Sequence, residues 1–482
     1  MKQNSFLIRH WDLVLLTIFI LAYSIIFSEL SILRHNAFAS NFDLANMSQT
    51  VWNTLHGRPF ALSGAEGTIS RFSIHADIIL ILISPLYLIW ERAVTLLVTQ
   101  SFALGLGAIP VYFLSKKVLN SKLISLSLVL AYLLNPAMEW TNIYDFHGVA
   151  LAIPFLLSAF YLAFIKKWKW FWLFVFLALT TKEEISLLVA TMGLAIFFVF
   201  KEKKVGLTTF LVGITWFIAM VFFIIPHFSA DSSDWALDLY APAIQKIFEI
   251  RNLNSALDLF RGYFLSSQAF NYYITLLKPF SFLPILGFPW ILLAAPEFVV
   301  NLLSTDPQMQ GLTFHYDSGI TPFIVIATIF GVKYLLNFLN FFKNLARFKS
   351  KILILIAVLI TFVALRVNYH YSPLPTTPSC WCLSYQVTQD DIDFAKVIAK
   401  IPVKASVTSS GEIRPHIARR ENSFTLPGHA GTADYVAILD ENRIVGDYSP
   451  KDFENFLLKD PEFLSNHQLI SHINHFYLFK KK

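Results

Sequence analysis

Charge is scarce in this chain. Lys, Arg, Asp and Glu make up only 15% of its 482 residues, against 55% for the hydrophobic types. So little polar side chain cannot cover a water-soluble fold of this size, and lipid is therefore the solvent for much of its surface. Cysteine is rarer still. The two present, Cys380 and Cys382, exclude a disulfide framework and a Cys-rich metal site. Their one-residue spacing strains a bridge, which leaves a disulfide and two free thiols both open. A small-residue cleavage site is lacking after the first apolar stretch, which reads as an uncleaved span rather than a signal peptide. The net charge of +6 gives no sign of nucleic-acid binding. Its Lys and Arg sit in a few short loops, the pattern of cytoplasmic connections.

Those basic loops set the topology. With Lys2 and Arg9 inside, the first span covers 13–33 and the chain from Arg34 begins outside. The apolar stretch 78–90 is about 13 residues long, too short for a crossing, and taking it as interfacial makes 94–115 the second span. Lys116, Lys117 and Lys122 then fall inside. The same holds for Lys166, Lys167, Lys169, Lys201, Lys203, Lys204, Lys343, Arg347, Lys349 and Lys351. Further spans near 123–138, 148–165, 170–181, 185–200, 206–226, 270–286, 288–304, 318–338 and 352–367 bring the total to about eleven. Pro279, Pro284, Pro289 and Pro296 interrupt the 270–304 pair, as is tolerated where freed backbone groups face protein or water.

The expected fold is thus an α-helical polytopic membrane protein of the cell membrane over 1–367, with outer loops 34–92 and 227–269 and a cytoplasmic N-terminus. An odd span count puts residues 368–482 outside as a small extracytoplasmic α/β domain. There, shorter apolar runs predict helices at 391–401 and 450–458 and a short helix after Glu412. Strands are expected at 405–408, 423–426 and 435–439, with two more at the end.

Polar strings such as FDLANMSQTVWN, RFSIHAD, YDFHG, TKEE and TFHYDS interrupt the apolar runs, and the lysine count places them all outside. His35, His56, His75, His147, His227 and His315 share that side, with only His10 inside; each alone is an ordinary loop residue. Asp43, His75, Asp77, Asp145, His147, Glu183 and Glu184 come together there from separate loops, a set suited to acid–base work or to a divalent metal, with Asp43, Asp145 and His147 as candidate ligands.

Each of these has a plainer reading. Asp43 opens a stretch in which Leu44, Met47, Val51 and Leu55 recur at helical spacing, as in a helix flat on the interface, where the carboxylate serves equally as a cap. The loop holding Asp145 and His147 is polar in any case. Lys182, Glu183 and Glu184 follow a short span and so lie below the membrane surface, where charge is costly and marks function or a structural Lys–Glu pair. Glu297, within a span, is a pocket or a structural residue on the same grounds. Tyr316 beside His315 fits an aromatic belt. Arg58, Arg71 and Lys182 are outer cations suited to phosphate.

The succession FDLANMSQTVWNTLHGRPF, HADIILILISPLYLIW, LGAIPVYFLSKK, NIYDFHGVALAIPFLLSAFY, LTTKEEISLLVA, PEFVVNLLS, FHY and IPVKASVTSSGEIRPHIARR resembles domain-of-unknown-function family 2079 (DUF2079) over nearly the whole chain. That family resembles in turn the GT-C superfamily of membrane glycosyltransferases, which use polyprenyl-phosphate-linked sugars and place an essential acidic residue in the first outer loop. The resemblance implies a GT-C-like transferase on the extracytoplasmic face, with the bilayer and a polyprenyl-phosphate-linked sugar as partners. It makes Asp43 the first-loop acid and the Asp145/His147 loop the second outer loop of the family. Asp43, Asp145, His147 and Glu183 are then the catalytic candidates, and Arg58, Arg71, His75, Lys182, Glu184, His315 and Tyr316 the substrate-binding ones. A single FD stands here where the superfamily's mannosyl- and aminoarabinosyl-transferases carry paired DE, which leaves the base and the metal open. Two other classes remain: a transporter or flippase, which would ordinarily show an internal repeat not visible here, and a non-catalytic assembly factor whose α/β domain binds a partner.

Overall fold

The computed structural model describes residues 9–64, 67–229, 240–342, 348–443 and 451–482. Lys2, Lys343, Arg347, part of the loop 227–269 and the start of the helix expected at 450–458 lie outside them. Six helices are long and apolar enough to cross a membrane: Trp11–Asn36, Val94–Leu119, Lys203–Phe228, Leu283–Leu303, Thr321–Phe341 and Ser350–Tyr371. The pair Lys122–Leu133 and Pro136–Ile143, bent by 43°, makes a seventh. The chain is therefore a multi-pass integral membrane protein, with six or seven such spans among the described residues rather than eleven.

The difference has two causes. The expected spans at 148–165, 170–181 and 185–200 are the helices Gly148–Phe164, Trp168–Leu179 and Ile185–Phe198, shorter than the ~20 residues that a crossing takes. The expected pair over 270–304 is a single broken span. Helix Ser267–Leu277 ends before it, Ser281 and Phe282 turn the chain at positive φ, and Leu283–Leu303 follows. Pro284, Pro289 and Pro296 each open a short helical segment within that span, where the missing N–H leaves no helical bond unmade.

Lipid makes both faces of a helix apolar, so packing is decided by size as well as polarity. The Trp11–Asn36 helix buries Leu16, Ile20, Tyr23, Phe27 and Leu30 and exposes Ile18, Leu21, Ile25 and Ile26. Its two ends are tied by charge. Asp12 accepts from the Tyr112 hydroxyl and from Lys116 and Lys122 Nζ at 3.1 and 2.9 Å. At the far end Arg34 Nη1 meets Asp145 Oδ1 at 2.5 Å. Helices Ile185–Phe198 and Lys203–Phe228 approach through glycines: a Cβ on Gly193 would stand 2.4 Å from Phe210 N, and one on Gly213 2.5 Å from Ser186 O.

A hairpin, β1 (Ala61–Gly64) and β2 (Gly67–Ser70), follows helix Phe42–Leu55. Near the end of the chain, β3 (Val407–Ser409), β4 (Ser423–Thr425), β5 (Tyr435–Leu439), β6 (His467–Ile473) and β7 (Phe476–Lys481) form a sheet of order β4-β3-β5-β7-β6. The β3–β4 and β3–β5 pairs are parallel, and β7 runs antiparallel to both neighbours. Phe394, Phe476, Ile398, Val407 and Leu478 pack one face, joined there by Phe38 from the end of the first span. Cys380 and Cys382 are disulfide-bonded, with Trp381 between them buried edge-on against Trp140.

The Phe42–Leu55 helix is enclosed by protein rather than exposed. It is buried along Leu44–Asn53 between the membrane helices and the sheet region, because Arg414 reaches across to it: Nη1 donates to Asn46 Oδ1 at 2.6 Å and Nη2 to Gln49 Oε1 at 3.0 Å. Gln49 Nε2 in turn donates to the carbonyls of Arg420 and Glu421.

The close helix approach carries a prediction. Gly193→Leu overpacks backbone against backbone and costs about 1–3 kcal/mol or more, so the melting temperature in detergent falls. An unchanged melting curve refutes the glycine contact.

Candidate functional site

A cavity of about 500 Å³ opens where several segments meet: the first turns of helix Phe42–Leu55, the strap from Arg71 to Asp77, the loop around His147, the turn Lys182–Glu184, the span holding Glu297, and His315 with Tyr316. Phe42, Met47, Ile74, Val149, Val300 and Met309 give it an apolar wall.

Asp43 enters this cavity because it is not the cap of its helix. Asn41 takes that role, its side chain accepting from the Phe42 N–H at 2.7 Å. The Asp43 carboxylate, one position further on, stands with Oδ2 3.8 Å from His147 Nε2. Burial pushes the Asp43 carboxyl up, but His147, with Arg71 and His75 behind it, outweighs that and holds it below the usual carboxylate range. The His147 ring stacks on His315 with centroids 3.8 Å apart, and Tyr316 lies beside His315 at 4.5 Å. Burial, followed by the charge of His147, drives the His315 pKa well down and favours its neutral ring. The Nδ1 atoms of both histidines are buried without a hydrogen-bond partner among the described residues.

The remaining charges, Glu297 excepted, are matched in pairs. Arg71 donates through Nε and Nη2 to Asp77 Oδ2 at 2.8 and 2.6 Å. His75 Nδ1 lies 2.8 Å from Glu183 Oε1, and the Ala76 N–H donates to Glu183 Oε2 at 3.0 Å. Lys182 Nζ meets Glu184 Oε1 at 2.6 Å. Burial pushes the Lys182 pKa down, yet Glu184 and Glu183 outweigh it and hold the ammonium charged. Glu297 is buried, and its Oε2 has no partner among the described residues.

Nine of the eleven sequence candidates therefore line one cavity: Asp43, Arg71, His75, His147, Lys182, Glu183, Glu184, His315 and Tyr316. Asp145 and Arg58 do not. Asp145 is one layer behind: its Oδ1 takes Arg34, its Oδ2 accepts from the Asn41 N–H at 2.7 Å, and its φ is +94°. It fixes the entry to the Asp43 helix. Gln100 holds the same loop from below, donating to the Asp145 carbonyl at 2.8 Å and accepting from the His147 N–H at 2.9 Å. Arg58 points toward the sheet region, donating to Asn53 Oδ1 at 3.0 Å and approaching Glu421 at 3.4 Å. No group of three or more His, Cys, Asp or Glu side chains among the described residues has metal-binding geometry. The expected trio is not assembled, because Arg34 and the Asn41 N–H engage both Asp145 oxygens.

Asn46, Tyr240, Val300 and Met309 line the cavity with no sequence signal of their own. Arg414, which holds Asn46, had one: a cation in the apolar-flanked string EIRPHI. Asp77 was visible as a carboxylate but not as the partner of Arg71.

Glu183, in the turn between two helices, gives a pH prediction. Burial raises its pKa, but His75, Lys182 and the Ala76 N–H outweigh that and bring it from 4.5 to about 2. Since the folded value is depressed, the stability is present above about pH 4.5 and is lost as pH falls toward 2. Wild type must therefore lose more thermal stability than Glu183→Gln across that window. Parallel losses refute the pairing.

No curated protein matches the chain. Among solved structures it is similar to the crystal structure of ArnT from Cupriavidus metallidurans bound to undecaprenyl phosphate, with 10% sequence identity and a TM-score of 0.49 over 96% of this chain and 97% of that one. That similarity is too low to transfer a residue role. The family described as predicted membrane protein (DUF2079) matches residues 34–472, and the chain belongs to it.

Proposed function

We propose that the protein is an integral membrane glycosyltransferase that moves a sugar from a polyprenyl-phosphate carrier to a hydroxyl or amine acceptor on the extracytoplasmic face. The observation that carries this reading is the Asp43 carboxylate, free of capping duty and facing a semi-apolar cavity opposite His147. The order of polar strings, which resembles DUF2079, a family that in turn resembles the GT-C superfamily, and the lysine-rich loops assigned to the cytoplasm support the class and the face.

The chemistry asked of the chain is modest. The anomeric carbon–oxygen bond to phosphate breaks, the phosphate leaving with the electron pair, while the acceptor oxygen or nitrogen bonds to that carbon from the opposite face. Asp43 accepts the acceptor's proton as the new bond forms. A carboxylate held low is ionised at neutral pH and ready to receive that hydrogen bond. His147 orients it and spreads the charge of the pair. His315, stacked on His147, and the tilted Tyr316 beside it offer an aromatic platform for a sugar ring. Glu183 and Asp145 act as positioning residues, one holding the His75 strap and the other the start of the Asp43 helix. Residues 368–482 pack against the cavity helix on the same face.

Asp43→Asn keeps the shape and removes the base, an effect of about 10²–10⁴ on turnover. Native mass spectrometry of gently purified protein is expected to find polyprenyl phosphate in the wild type and its glycosylated form at higher occupancy in the variant. Finding only bulk phospholipid in both sinks the proposal.

A further inference from the structure

The charged groups of the cavity are largely committed to one another. The described lining residues include five carboxylates, Asp43, Asp77, Glu183, Glu184 and Glu297, against two permanent cations, Arg71 and Lys182. Both cations are already committed, Arg71 to Asp77 and Lys182 to Glu184. His75 faces Glu183 and His147 faces Asp43. An incoming phosphate would find no unmatched cation among these residues and would meet carboxylates on several sides, a repulsion that low dielectric magnifies.

A second observation points the other way. Glu297 is 4% exposed, lines the cavity, and leaves Oε2 without a partner among the described residues. Buried acceptors of this kind are costly unless a donor arrives. Sugar hydroxyls or an amine supply donors; a phosphate ester supplies mainly acceptors.

We infer that the cavity holds the hydrogen-bond-donating, non-phosphate part of the substrate, its hydroxyls or amine, and that the carrier phosphate docks outside the ring of carboxylates. This rests on the transferase reading above and removes the phosphate-binding role from Arg71 and Lys182. Their work is to keep Asp77 and Glu184 in place as acceptors.

The test is binding of undecaprenyl phosphate, titrated into detergent-solubilised protein and read by native mass spectrometry. Two variants are compared with wild type. Lys182→Met/Glu184→Gln removes an ion pair together, so that no unpaired buried charge is left behind. Arg71→Met/Asp77→Asn removes the other ion pair in the same way. The expected result is an apparent affinity within about twofold of wild type for both. A loss of tenfold or more in either double variant places the phosphate in the cavity and overturns the inference. The Arg71→Met/Asp77→Asn variant decides the matter should the first double variant fail to fold. Failure of wild type to bind undecaprenyl phosphate at all removes the polyprenyl donor itself, a distinct result that defeats the proposed function and this inference together.

Discussion

The buried pair Arg34–Asp145 is the constraint on which the cavity depends. Taking two charges out of water is costly, and a buried pair holds only when further hydrogen bonds use the remaining atoms. Here they do. Arg34 Nη1 also donates to the Ile143 carbonyl, its guanidinium lies over the Trp381 ring, and the second Asp145 oxygen accepts from the Asn41 N–H. Asn41 is then fixed as the cap, and the next carboxylate along, Asp43, has no backbone to satisfy. One ion pair thereby joins the end of the first span, the loop carrying His147 and the start of the Asp43 helix.

Local pairing governs the rest of the site. The strap from Arg71 to Asp77 is closed on itself by its own terminal residues and pinned to the Lys182–Glu184 turn through Glu183. Each pair is short and partly or fully buried, so reorganising any of them costs more than reorganising surface charges would. A site so arranged is rigid before substrate arrives, which is what electrostatic preorganisation asks of it.

Much of this was legible in the sequence, and what was not has definable causes. Charge interrupting apolar runs drew attention to Asp43, His75, His147, Lys182, Glu183, Glu184 and His315, because carboxylates and imidazoles near lipid are too costly to be incidental. The same signal misplaced Asp145 and Arg58: cost says that a charge must be answered, not whether the answer is a substrate or another residue such as Arg34 or Glu421. Span counting went astray where hydropathy ignores length, as at Trp168–Leu179, and where prolines at 284, 289 and 296 punctuate one crossing rather than divide two. The apolar run at 435–439 coincides with β5, since a short β-branched segment between polar flanks has few other fates. Arg414 and Asn46 lie 368 residues apart, and no local pattern encodes a contact at that distance.

That separation has a meaning in time. The Asp43 helix leaves the ribosome early, while the arginine that holds its Asn46 and Gln49 is synthesised some 365 residues later, roughly 20–70 s at ordinary elongation rates. Until then the polar face of the helix must be answered by water or by something else. The cavity is thus among the last features of the chain to be completed. A protein truncated before Arg414 could possess every residue that lines the cavity and still lack the clamp that sets its first wall.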